Sequence, residues 1–151
     1  MTELVAYING EYVPESKAVV SIYDRGYMFA DLVTESTRTF GMRPFKLPEH
    51  LDRLYDSMKA TEIDAGVEKS EMEALTLEML DRNRSLFGRG DDAWIVHNVS
   101  RGVYQYRNAS GANPGPATLV IHCFPIDLAA FAKFYLTGVH AVTPSARQIP
   151  P

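Results

Sequence analysis

The sequence predicts an α+β fold, a mostly antiparallel sheet with two helices on one face. Three observations point there. Short β-rich runs open the chain, two stretches of helical periodicity follow, and two more β-rich runs come after them. Asn9-Gly10 joins the first two runs and suits a type I′ hairpin, since both residues tolerate positive φ. At 151 residues, 46% hydrophobic and 23% charged, the chain has the size and apolar content for one core.

The elements are read in order. Residues 4–8 (LVAYI) and 11–13 (EYV) form the hairpin. Residues 18–22 (AVVSI) read as a further strand, and Asp24-Arg25-Gly26 as a turn after it. Residues 32–40 (LVTESTRTF) are rich in β-branched side chains and predict a long strand, closed by a turn over 41–44. Pro48 suits the first position of a helix, and Leu47, Leu51, Leu54, Tyr55 and Met58 mark its apolar stripe. Gly66 separates it from a second helix, for which Ser70 and Glu73 offer a capping box. Met72, Leu75, Met79 and Leu86 are the second stripe, with Gly88 as the residue after the helix. Strands follow at 94–99 and 117–124, separated by a polar, Gly- and Pro-rich loop over 102–116. Residues 127–138 fit a linker or short helix, and an extended segment starts at Val139.

Composition excludes several classes. A net charge of −4 gives no general attraction to nucleic acid or anionic membranes. The densest basic stretch, Arg82, Arg84 and Arg89, is flanked by Asp81, Asp91 and Asp92 and reads as a solvated face. One cysteine, Cys123, rules out an internal disulfide framework. The N-terminus lacks a signal peptide's pattern and no apolar run reaches membrane-span length, so the expected location is cytoplasmic. His50, His97, His122 and His140 show no metal-ligand spacing. His122 and Cys123 are adjacent on a strand and face opposite ways, which argues against a Cys/His dyad.

The strand at 32–40 carries the main site candidates. Alternation puts Thr34, Ser36 and Arg38 on one face and Val33, Glu35, Thr37 and Thr39 on the other. Neither face is apolar throughout. A bland edge strand accounts for this about as well as a pocket for a carboxylate-bearing molecule, which needs small polar groups and an arginine. His50 and Arg53 lie at i, i+3 on the first helix, off its apolar stripe; Arg53 is either solvated or held against the sheet as a phosphate ligand. Tyr104, Tyr106 and Arg107 either idle on a solvent loop or form a lid with carboxylate-binding groups, and Arg101 is structural or borders a site.

Asp24-Arg25-Gly26-Tyr27-Met28-Phe29-Ala30-Asp31, followed by Glu35, resembles the opening motif of the branched-chain and D-amino-acid aminotransferases, the fold-type-IV enzymes. Phe45-x-Leu47-x-Glu49-His50-Leu51-x-Arg53-Leu54-x-x-Ser57 and Val99-Ser100-Arg101-Gly102 are similar to two further motifs of that family, in the same order. Gly138-Val139 and Arg147-Gln148-Ile149-Pro150-Pro151 look like the start of its large domain. Ala30 stands where most members have Gly, and Thr34 where most have an aromatic residue. The wording around Met28 and the Arg-x-x-Pro-Pro segment leans towards the (R)-amine transaminase branch.

The resemblance implies a small N-terminal domain over 1–126, a linker over 127–138 and the start of a large domain over 139–151. It implies pyridoxal 5′-phosphate (PLP) as cofactor, with Arg53 on its phosphate. Thr34, Ser36 and Arg38 would then line the substrate pocket, and Tyr106 and Arg107 would help hold the substrate carboxylate. The implied reaction moves an amino group between an amino acid or amine and a 2-oxo acid, in a homodimer. The catalytic lysine is expected beyond Pro151, since Lys17, Lys46, Lys59, Lys69 and Lys133 do not match its position, so the chain alone is expected to be inactive. Two other readings stand beside this one: an aminodeoxychorismate-lyase-type elimination on the same fold, and a non-catalytic dimerisation domain.

Overall fold

The computed structural model describes residues 3–105 and 115–145. Strand β1 (Val5–Ile8) turns through Asn9 (φ 49°) and Gly10 (φ 100°) into β2 (Glu11–Pro14), as the dipeptide predicts. A one-turn helix α1 (Arg25–Phe29) leads to β3 (Leu32–Phe40). Gly41 and Met42, both at positive φ, turn the chain into the short β4 (Arg43–Pro44). Helices α2 (Leu47–Thr61) and α3 (Lys69–Asn83) follow, then β5 (Ala93–Ser100), β6 (Thr118–Pro125) and α4 (Leu128–Thr137).

The six strands form one antiparallel sheet in the order β2-β1-β6-β5-β3-β4. The predicted α+β architecture is therefore the observed one. Helices α2 and α3 cover one face. Leu51, Leu54 and Met58 from α2 and Met72, Met79 and Leu80 from α3 pack on Tyr7, Val33, Ile95, Val99, Leu119, Ile121 and Cys123 of the sheet. Each such side chain, fully buried, contributes about 1.5–3 kcal/mol. Asn83 closes α3 at the place where the β1–β6 ladder, paired at Tyr7↔Ile121 and Ile8↔Val120, has opened. Its side chain accepts from Val5 N and donates to Val5 O, both at 2.7 Å, which satisfies a buried backbone pair.

Some expectations are corrected. Residues 18–22 form no strand: Val19, Val20 and Ile22 are exposed, and Ser21 draws the backbone into a turn by accepting from the amides of Tyr23 and Asp24. Ser70 and Glu73 form no capping box, because α3 starts at Lys69 and Ser70 already lies inside it. Lys69 instead pairs with Asp52 of α2. The helix ends at Asn83, so Leu86 lies in a separate 3₁₀ turn and Gly88 caps nothing. The short helix offered as one reading of residues 127–138 is present as α4, whose N-cap Asp127 accepts from Ala130 N. No helix among the described residues is long and apolar enough to cross a membrane.

Candidate functional site

The site is built around β3, and its two faces differ. Val33, Glu35, Thr37 and Thr39 are buried against the helices, whereas Thr34 and Ser36 are exposed and Arg38 is half-buried on the face the helices leave open. Alternation therefore brings Thr34, Ser36 and Arg38 together, as the sequence predicts. Cross-strand pairing sets Thr34 beside Asn98, Ser36 beside Val96 and Arg38 beside Trp94. Helix α4 hangs over this face, and a hollow of about 500 Å³ opens between them, lined by Arg38, Trp94, Ile126, Leu128, Phe131 and Phe134. The Arg38 guanidinium lies 4.1 Å from the Phe40 ring centroid, and its Nη2 is 3.5 Å from Asp92 Oδ2.

The hydroxyls on the covered face are satisfied internally. Thr37 donates to Phe45 O at 2.7 Å. Thr39 donates to Asp92 Oδ1 and accepts from Ala93 N, both at 2.8 Å. Burial raises the Asp92 carboxyl's pKa, but bonds from Thr39 and the Met42 amide, with the charge of Arg38, leave it below the ordinary value. His97, fully buried, shares a short contact with Thr76 at 2.8 Å. The Thr76 hydroxyl donates to Met72 O, so His97 Nε2–H is the donor to Thr76. Burial pushes the pKa of His97 down to about 4, which keeps it neutral.

Glu35 is the exception on that face. Strand β4 pairs with β3 at Thr39 and Phe40, so among the described residues the earlier part of β3 has an unpaired edge. Glu35 lies at this edge and accepts from the Ser36 amide at 2.9 Å, blunting it. Its carboxylate also takes Arg53 Nε at 2.6 Å, Arg53 Nη2 at 2.5 Å and His50 Nδ1 at 2.9 Å. Burial raises the pKa of Glu35, but bonds from Arg53, His50 and the Ser36 amide outweigh it and hold the carboxyl at about 2. Arg53 is thus held against the sheet, yet its side chain stays 66% exposed. Two of its nitrogens face Glu35 and the rest of the fork faces outward. That fits a planar contact to phosphate oxygens and therefore the phosphate end of PLP.

Arg101 is a structural clamp. It grips Asp31 through Nε and Nη2 at 2.8 and 3.2 Å and donates to the last carbonyls of α2, Thr61 O and Glu62 O. Asp24, 2% exposed, is another anchor. It caps α1 through Gly26 N and accepts from Ser100 and Thr118 at 2.9 and 2.6 Å. Gly26 packs so closely that a Cβ there would stand 2.9 Å from Ser100 Cβ, which explains the Asp-x-Gly spacing. Gly102 (φ 82°) pinches the base of the following loop, since a Cβ would lie 2.0 Å from Pro116 O. Tyr104 stacks edge-on with Phe29. Tyr106 and Arg107 lie outside the described residues. The partners of Glu35, Asp24 and Asp92 are not evident from sequence alone; the motif that starts at Asp24 marks the first two without saying what they bind.

The Amino-transferase class IV family model matches residues 32–150. A Methanocaldococcus jannaschii protein, provisionally named a branched-chain-amino-acid aminotransferase, is 37% identical over 147 residues, covering 95% of this chain and 46% of that protein. The D-alanine aminotransferase of Bacillus licheniformis is 32% identical over 135 residues, covering 89% and 45%. The aminodeoxychorismate lyase of Bacillus subtilis (strain 168) is 36% identical over 98 residues, covering 64% and 32%. Among solved structures, the branched-chain aminotransferase of the thermophilic archaeon Thermoproteus uzoniensis with norvaline superposes with a TM-score of 0.69 at 20% identity, covering 82% of this chain and 41% of that one. At that identity the likeness shows the fold. The chain spans less than half the length of these relatives. With most of its residues matched by the family model, and with relatives above 30% identity along nearly its whole length, the chain belongs to the class IV aminotransferases.

Proposed function

We propose that this chain forms the small-domain part of a PLP-dependent aminotransferase that moves an amino group between an amino acid or amine and a 2-oxo acid. The observation that carries this reading is Arg53, held by Glu35 at the unpaired edge of β3 with its remaining donors outward. When bound, the cofactor supplies an electron sink for the exchange. Arg53 binds its phosphate end by charge-assisted hydrogen bonds. Thr34 and Ser36 offer hydroxyls to the substrate from the open face of β3. Arg38 meets a carboxylate there, its long 3.5 Å contact to Asp92 being readily shared. Trp94 and the aromatic residues of α4 give the adjoining hollow an apolar lining. Tyr106 and Arg107 assist in holding the carboxylate.

In this reading the small domain covers 1–126, the linker 127–138 and the start of the large domain 139–151. The lysine that holds the cofactor lies beyond Pro151, and the working unit is a cytoplasmic homodimer. The test uses the complete polypeptide carrying this segment. Arg53→Ala is expected to weaken PLP binding about ten- to hundredfold in an absorbance titration, the range for hydrogen bonds to a charged group. Unchanged affinity would remove the phosphate role. A lyase reading has its own support in the similarity to the Bacillus subtilis protein. Pyruvate release from aminodeoxychorismate, without need for a 2-oxo acid, would favour it over transfer.

A further inference from the structure

We propose that Glu35 is a positioning residue, holding the guanidinium of Arg53 edge-on so that its opposite edge meets the cofactor phosphate. This rests on the phosphate role given to Arg53 above. Glu35 is 5% exposed, and its two oxygens receive four hydrogen bonds, from Ser36 N, His50 Nδ1, Arg53 Nε and Arg53 Nη2. The paired bonds to Nε and Nη2 use one edge of the planar fork and fix its plane. A lone arginine on a helix surface samples many rotamers, and pinning it beforehand removes that ordering cost from binding.

The neighbours support the same role. An ionised carboxylate can only accept, so His50 Nδ1 is the donor and the ring's tautomer is set. His50 lies one helical turn from Arg53, and its Nδ1 and Arg53 Nη2 converge as two donors on the same oxygen, Glu35 Oε1. His97 pairs with Glu35 across the sheet but is neutral, its Nε2–H spent on Thr76. Among the described residues, Arg53 is therefore the only permanent cation on this carboxylate. Stability alone is a poor reason for such a group, because a buried ion pair is often matched by apolar residues of similar volume.

The competing reading is that Glu35 merely neutralises Arg53 and so weakens its hold on phosphate. Titrations of the complete polypeptide with PLP and with pyridoxal, which lacks the phosphate, separate the two. Glu35→Gln keeps the volume but turns an amide donor towards Arg53. It is expected to weaken PLP binding about tenfold and leave pyridoxal binding unchanged. The Arg53→Ala, Glu35→Gln double variant is expected to bind PLP no more weakly than Arg53→Ala alone, since one residue acts through the other. Glu35→Asp, which keeps the charge and retracts it by one methylene, is expected to recover part of the loss.

Additive losses, tighter PLP binding in Glu35→Gln, or an unchanged affinity there would overturn the proposal. An equal loss for pyridoxal would also overturn it, because that is the mark of a folding defect. If Arg53→Ala itself leaves PLP affinity unchanged, the phosphate role falls and this proposal falls with it. A loss in Arg53→Ala without one in Glu35→Gln leaves that role standing and removes only the positioning role.

Discussion

The two faces of β3 carry much the same chemistry and put it to different uses. On the covered face, Thr37 and Thr39 spend their hydroxyls on Phe45 O and Asp92, and neither is left for a ligand. On the open face, Thr34 and Ser36 are exposed and the nearby hollow is lined by apolar rings. Glu35 belongs by alternation to the first face and by function to the edge where the two meet. Polar residues in a strand are thus ambiguous until one knows which face is covered. A hydroxyl whose partners lie within the fold serves stability, and one without them is available to a substrate.

The comparison breaks most visibly at low pH. His97 is buried and neutral, its pKa pushed down from 6.5 to about 4, so the unfolded chain takes up this proton first. The associated stability is complete above pH 6.5, falls as pH drops towards 4, and is worth about 3 kcal/mol. Glu35, held at about 2 against 4.5, extends the acid limb: its share is complete above pH 4.5 and is lost as pH falls through 2. Urea midpoints between pH 8 and pH 3 should show this decline, and His97→Gln should flatten its upper part.

A smaller effect is expected from Thr39→Val, about 2 kcal/mol, because Ala93 N and Asp92 both lose a buried partner. Ala30, at φ 56° and ψ 28°, adopts the left-handed conformation at the entrance to β3, before the two faces diverge. Ala30→Gly should therefore stabilise the fold by about 0.5–1 kcal/mol in the same denaturation assay. Thr34→Val, on the open face, should change stability by no more than about 0.5 kcal/mol. In the complete enzyme it should instead shift KM for the amino donor. A large loss of stability there would erase the distinction between the faces.

Much of this architecture is legible in the sequence because periodicity and burial coincide. Leu47, Leu51, Leu54 and Met58 mark the buried side of α2, and Asn9-Gly10 makes the turn its chemistry favours. The failures have local causes. Residues 18–22 have strand composition, but Ser21 supplies backbone bonds that compete with a ladder. Ser70 and Glu73 have capping-box spacing, but the helix begins a residue before Ser70. At the site, alternation correctly groups Thr34, Ser36 and Arg38. It cannot say that the helices choose the other face, nor that Arg53 on a separate element reaches Glu35. Those facts arise from packing between segments distant in the chain, which no local pattern encodes.

The pinch at Gly102 and Pro116 has a consequence for how such a molecule diversifies. Because the two ends of the 102–116 loop meet backbone to backbone, the pairing of β5 with β6 is fixed at the neck, by Ser100↔Thr118, rather than by what lies beyond it. Loop closure then costs only about 0.6 kcal/mol for each doubling of length. A lineage can rewrite the length and wording of that loop while the sheet keeps its register, provided the glycine at the neck is left alone.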